Sequence, residues 1–303
     1  DAFAGVIKSG GKTRRAAKMV ILDAGHPDIE EFIDCKVNEE RKAWALMDQG
    51  YDGSFGGEAY NSIFFQNSNN SVRVNNEFMR AVEADSAFEL VHKAEPSQDT
   101  KTEGAYQRAD GLWVYRKVRA RDLWDQIMRS TYDHAEPGIL FMDRINRDNN
   151  LYYCEHIEAT NPCAEQPLPP YGCCCLGSID LTHFVQRPFE ADADFDDKGF
   201  AEVCAVAVRM LDNVLDATPW PLKAQRDEAM AKRRVGLGFT GLGDALIMLR
   251  LRYDTAEACQ MAARIAESMR DRAYLASIEL ARERGAFPLF NADLYLSGGN
   301  FAS

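Results

Sequence analysis

A run of about 18 apolar residues, the length a helix needs to cross a bilayer, is absent from this sequence, and no membrane span is expected. The opening residues also lack the charged-then-apolar pattern of a leader. Basic residues are short: 35 Lys and Arg against 47 Asp and Glu give a net charge of -12. That balance argues against a nucleic-acid partner, because phosphate backbones are gripped by clustered basic faces. Cysteine, at 8 in 303 residues, is too sparse for a secreted disulfide scaffold, so a cytoplasmic protein is expected. Internal repeats and low-complexity tracts are missing too. What remains, 46% hydrophobic and 27% charged, is an ordinary globular composition with enough chain to bury a large core.

Short apolar runs alternate with helical patterns, which is the mark of α/β architecture. Strands are expected at Phe3–Ile7, Lys18–Leu22, Ser71–Val74, Ile139–Met142 and Leu176–Leu181. His26–Ile33 reads as a helix start, with Pro27 and acids placed for the positive end of the helix dipole. Asn75 or Asn76 is placed to cap a helix over Glu77–Glu83, and apolar spacing predicts another over Ala120–His134. Residues 38–60 read as a polar insertion with little core, residues 95–111 as loop, and Glu190–Lys198 as an acidic linker. Beyond it, helices are expected at about 199–216, 223–232, 241–250 and 255–285. The tail from Gly298 is loop-like, and the whole reads as a segment cut from a longer chain: a first part, 1–185, and a mostly helical continuation, 199–303.

One stretch carries chemistry. In Asn161-Pro162-Cys163-Ala164-Glu165 a thiol stands two residues from an amide on one side and a carboxylate on the other. Pro162, Pro167, Pro169 and Pro170 crowd it, and proline both fixes φ and removes a backbone donor, so this is a stiff loop. Cys173-Cys174-Cys175 follows at once. Two thiols can supply two electrons by forming a disulfide, and a carboxylate can exchange a proton with a substrate hydroxyl. Cys35, Cys154, Cys204 and Cys259 read as core residues.

Other patterns carry less. Val6–Thr13 falls short of a phosphate-binding P-loop because Val6 stands where glycine is needed. The basic group Lys8, Lys12, Arg14, Arg15 and Lys18 leaves room for a small anionic ligand. Gly236-Leu237-Gly238-Phe239-Thr240-Gly241 spells a dinucleotide fingerprint, yet charged Lys232–Arg234 precede it where a buried strand is required. Glycines for a tight turn and close packing account for it better. Three consecutive cysteines cannot all face one zinc ion, which usually takes spaced pairs. His26, His134 and His183 read as turn or surface residues, and a cysteine hydrolase would need His156 brought to Cys163.

Asn161–Leu168 resembles the finger loop of ribonucleotide reductase large subunits. Lys8–Ala17 resembles their specificity loop. His26–Ile33, Gly138–Asn146 and Arg234–Gly238 resemble framework segments, so the likeness runs over nearly the whole chain. It implies an α/β fold, part of a ten-stranded α/β barrel with the finger loop threaded through its centre. It further implies that Cys163 is the thiyl that takes the 3′ hydrogen of a ribonucleotide. Glu165 would be the base at the 3′-hydroxyl, and Asn161 would hydrogen-bond the ribose. Asn161, Pro162, Cys163, Ala164 and Glu165, with Gly10, would line the substrate. Ser9, Gly10, Gly11, Lys12, Thr13 and Arg14 would form the specificity loop, and Cys174 one of the two redox cysteines. The loop sequence, the spacing from Cys163 to Cys174 and the insertion at 38–60 look most like the adenosylcobalamin-dependent class II branch, with the di-iron class I large subunit as runner-up. A nucleotide- or zinc-binding module without activity is the alternative from another class. The resemblance also implies dNTP or ATP effectors, a thioredoxin-type or small dithiol reductant, and a homodimer. The second redox cysteine and the substrate-phosphate loop have no match here, so the isolated segment is expected to be inactive.

Overall fold

A computed structural model describes residues 8–9, 14–15, 17–54 and 56–299. The chain falls into two compact units, residues 1–169 with 296–303, and residues 170–295.

In the first unit, β1 (Lys8–Ser9) and β2 (Arg14–Arg15) pair antiparallel. The segment expected to be wholly loop therefore has two paired arms; Phe3–Ile7 lies outside the described residues. β3 (Lys18–Asp23), β4 (Ser68–Val74) and β8 (Gly138–Phe141) form a parallel sheet in that order. β5 (Ala87–His92), β7 (Trp113–Arg119) and β6 (Tyr106–Gln107) form an antiparallel one. The helices are α1 (Ile29–Asp48), α2 (Glu58–Asn61), α3 (Asn76–Glu83), α4 (Gln98–Thr102), α5 (Ala120–His134) and α6 (Met142–Arg147). β9 (Ala159–Thr160) and β10 (Pro167–Leu168) close the unit as a hairpin.

The core follows from side-chain spacing. Ile29, Ile33 and Val37 recur every four residues along one face of α1 and are buried. Ile29 and Ile33 share a core with Val72 and Val74 of β4, Phe78 of α3, Leu90 of β5, and Leu123 and Ile127 of α5. Asn75 caps α3, its Oδ1 accepting the Phe78 amide at 2.8 Å. Four readings of the sequence are corrected here. α1 runs on to Asp48 through the supposed insertion, and Ala43, Ala59 and Ile63 form a small core there. Residues 95–111 contain α4 and β6 rather than loop alone. His134 is not at the surface: its side chain is 7% exposed, bonded to Glu40 and stacked on Trp44. Cys259, read as core, is exposed, whereas Cys204 is buried.

In the second unit, β11 (Cys175–Asp180) pairs in parallel with β14 (Val235–Thr240), and β12 (Val185–Gln186) pairs with β13 (Asp194–Phe195). α7 (Asp197–Ala217), α8 (Lys223–Lys232), α9 (Leu242–Met248) and α10 (Ala256–Arg284) follow the expected helices closely. α11 (Ala292–Ser297) ends the described chain. Phe184, Phe195 and Phe200 pack around one another with ring centroids 5.3–6.2 Å apart, over Leu181, Cys204 and Ile265. Among the described residues no sheet exceeds three strands, and no helix is long and apolar enough to cross a membrane.

A charged cluster ties three helices of this unit. Arg233, in left-handed conformation at the end of α8, reaches Asp212 and Asp216 of α7 at 2.7 and 2.9 Å. Arg284 of α10 reaches the other oxygen of Asp212 at 2.6 Å. Asp212 is 12% exposed, and removing one partner of a buried pair leaves uncompensated charge. Asp212→Ala is therefore expected to cost about 3 kcal/mol in denaturant unfolding; an unchanged midpoint would show that the cluster does not hold the helices. The Arg233 guanidinium also holds the Asp216 carboxyl below its usual range. Its stabilisation is present above the ordinary carboxylate pKa and is lost as pH falls through the lowered one. Asp216 is half exposed, which limits this to about 0.5 kcal/mol.

Candidate active site

The hairpin of β9 and β10 pairs Thr160 with Pro167 and Ala159 with Leu168, leaving residues 161–166 as its tip. Asn161-Pro162-Cys163-Ala164 is a turn in which the Ala164 amide donates to the Asn161 carbonyl at 3.0 Å. Asn at the first position and Pro at the second are what such a turn favours. The Asn161 amide donates to the Gln166 carbonyl at 3.1 Å, and Asn161 Oδ1 accepts the Gln166 amide at 3.0 Å. Thr160 Oγ1 donates to the Asn161 carbonyl at 3.0 Å. One residue thus clamps both ends of the loop. Ala164 is held at φ 65°, a left-handed conformation that costs an L-residue about 1 kcal/mol, and the clamp offsets it.

Cys163 and Glu165 stand at this tip, and both are exposed. The resemblance implies a tip enclosed at the centre of a barrel; within this chain it is open, and no described sheet is large enough to close around it. Asn161 Oδ1 accepts one hydrogen bond within the loop, and its Nδ2 makes none there, leaving two donors for a substrate. Of the specificity-loop candidates, Ser9 and Arg14 face each other across the β1–β2 pair. Gly10, Gly11, Lys12 and Thr13 lie outside the described residues.

Cys174 belongs to the second unit. It precedes β11, and a Cβ placed on Gly236 of β14 would come within 3.0 Å of Cys174 Sγ and 2.5 Å of Leu176 Cδ2. A side chain at 236 would have to displace these two side chains; the apparent dinucleotide fingerprint lies on a strand rather than in the turn after one. Gly241, at φ 72°, caps α9. Burial pushes the Cys173 thiol up, with the Arg234 charge partly opposing it. Burial also raises Cys175, and Cys204 reaches about 11.

The hydrolase arrangement is not formed. His156 lines a cavity of about 670 Å³ with His26, His92 and Arg73, and Cys163 is not among its walls. No hydrogen bond joins His156 to Cys163 among the described residues. No group of three or more His, Cys, Asp or Glu is placed to hold a metal among them. In that cavity His26 Nδ1 accepts the Asp28 amide and His92 Nδ1 accepts the Ala94 amide. Sequence reading gave no role to this cavity.

The structure is that of an α/β protein whose clamped hairpin presents an exposed thiol flanked in sequence by an amide and a carboxylate. The chain matches the family described as "Ribonucleotide reductase, barrel domain" over residues 1–303, and it belongs to that family. Its fold is accordingly α/β, a part of that barrel. Among its relatives, the vitamin B12-dependent ribonucleotide reductase of Streptomyces clavuligerus is 38% identical over 287 residues, covering 95% of this chain and 28% of that protein. The vitamin B12-dependent ribonucleoside-diphosphate reductase of Mycobacterium tuberculosis (strain CDC 1551 / Oshkosh) is 34% identical, covering 99% and 37%. That of Thermoplasma acidophilum is 34% identical, covering 95% and 32%. The chain spans about a third of the length of these relatives.

Exposure and burial set an order of thiol reactivity, since the thiolate is the nucleophile. Iodoacetamide at pH 8 is expected to label Cys163 and Cys259 first. Cys173 and Cys175 should follow, their labelling rising only as pH passes the ordinary thiol range, and Cys204 should label last. Site-resolved mass spectrometry checks this, and early labelling of Cys204 would contradict the burial described.

Proposed function

We propose that the longer protein to which this chain contributes reduces ribonucleotides to 2′-deoxyribonucleotides by radical chemistry, and that residues 1–303 are one catalytic barrel segment. The clamped turn that presents Cys163 between Asn161 and Glu165 carries the proposal, together with family membership over the full chain. With Cys163 as a thiyl, the sulfur takes the 3′ hydrogen atom of the ribose. The Glu165 carboxylate accepts the proton of the 3′-hydroxyl, and the free Nδ2 of Asn161 orients the sugar as the protonated 2′-hydroxyl leaves as water. Two electrons come from a dithiol that includes Cys174 and ends as a disulfide. The 3′ hydrogen then returns from Cys163, so one dithiol and one ribonucleotide give one deoxyribonucleotide, one disulfide and water.

The relatives' names support a vitamin B12-type cofactor, and adenosylcobalamin is the radical source we propose. The residues of this chain do not by themselves fit it. The described cavities of about 670 and 580 Å³ are lined by a mixture of charged and apolar side chains, and Cys163, the thiol a radical source would have to reach, lines neither. The cofactor's cradle, like the cover for the exposed tip, is assigned to the rest of the protein, and no step above is routed through it. The β1–β2 hairpin is proposed as the specificity loop answering dNTP or ATP effectors, Gly10 as a substrate contact, a thioredoxin-type or small dithiol as reductant, and a homodimer as the assembly.

Two assays test this. Full-length Cys163→Ser is expected to bind nucleotide and form no deoxyribonucleotide; retained turnover would overturn the proposal. The 303-residue chain alone, given adenosylcobalamin and dithiol, is expected to form none, because an uncovered radical is open to solvent and solutes.

A further inference from the structure

Among the described residues, one side chain of the β3–β4–β8 sheet hydrogen-bonds the tip of the β9–β10 hairpin. Asn69 Nδ2 donates to the Pro162 carbonyl at 2.6 Å across 93 residues of sequence. That carbonyl is half of the Pro162–Cys163 peptide, so the contact acts one bond from the Cys163 backbone. Proline adds to its value: Pro162 has fixed φ and no amide of its own, and its carbonyl is where the turn can be steered. Asn69 is itself firmly placed. It lies on β4 between Ser68, whose carbonyl accepts from Lys36 Nζ, and Asn70, whose amide donates to Glu136 Oε2 at 3.2 Å. Lys36 and Glu136 pair at 2.6 Å. In the parallel sheet, Asn69 is registered opposite Met19 of β3, the strand that leaves the β1–β2 hairpin.

We infer that Asn69 is a positioning residue for Cys163: its amide fixes the Pro162 carbonyl and so sets where the thiol stands. This rests on the reading of Cys163 as the hydrogen-abstracting thiol. A single neutral hydrogen bond contributes only about 1 kcal/mol to stability, whereas a thiol displaced by about 1 Å can lose roughly 100-fold in rate. The effect therefore falls on turnover more than on folding.

The test uses Asn69→Ala and the isosteric Asn69→Asp, which cannot donate as a carboxylate, with Asn69→Gln as the variant that keeps an amide. In full-length protein, the first two are expected to lower kcat about 10- to 100-fold with KM little changed, and Asn69→Gln to recover part of the loss. In the 303-residue chain, amide hydrogen exchange at Ala164 and Gln166 is expected to speed up in Asn69→Ala and Asn69→Asp, with strands β3 and β4 unaffected. Unchanged kcat and unchanged exchange would overturn the inference, as would a loss shared equally by all three variants. Cys163→Ser separates the two claims. If it is inactive while Asn69→Ala is normal, only the positioning role fails; if it stays active, the reading of Cys163 fails first.

Discussion

The double hold of Asn161 on Gln166, backbone to backbone and side chain to backbone, is the constraint on which the site depends. It closes a six-residue tip over a two-residue-per-arm hairpin and absorbs the strain of a left-handed Ala164. It also presents Cys163 and Glu165, two residues apart in sequence, on one exposed tip. A loop this short without the clamp would have few bonds to define it. A reactive centre needs supporting groups to hold it to within a fraction of an ångström, and here the support comes from within the tip and from the sheet beside it.

The second unit solves a different problem by omission. A Cβ at Gly236 would come within 3.0 Å of Cys174 Sγ, so glycine there leaves the thiol its room. Gly138 does the same in the first unit, where a Cβ would press to 2.8 Å from Ser71 Oγ. At both positions the neighbouring side chain, rather than chain flexibility, favours glycine.

Much of this was legible. Leu123, Ile127 and their spacing marked α5 to within a residue, and α8 matched its expected bounds. The loop at Asn161–Glu165 was legible because asparagine followed by proline favours a turn. The misses have physical causes. The far half of α1 is rich in Lys, Arg and Glu, and its buried stripe thins to Ala43, so periodicity faded while the helix went on. β4 was expected only from Ser71; it begins at Ser68 with buried Ser68 and Asn70, whose polarity hid its first residues. β5 and β7 were not foreseen at all, since their charged outer faces masked the alternation. The contact from Asn69 to Pro162 spans 93 residues, and nothing local in sequence announces it.

The central claim is that the Cys163 sulfur removes a hydrogen atom from the ribose 3′ carbon. The most direct measurement is a competition between ordinary and 3′-deuterated ribonucleotide in the full-length protein. The account expects the deuterated substrate to be consumed more slowly, with the label retained at the 3′ carbon of the deoxyribonucleotide because the same sulfur returns it. Equal consumption, with the label washed into solvent, would contradict it.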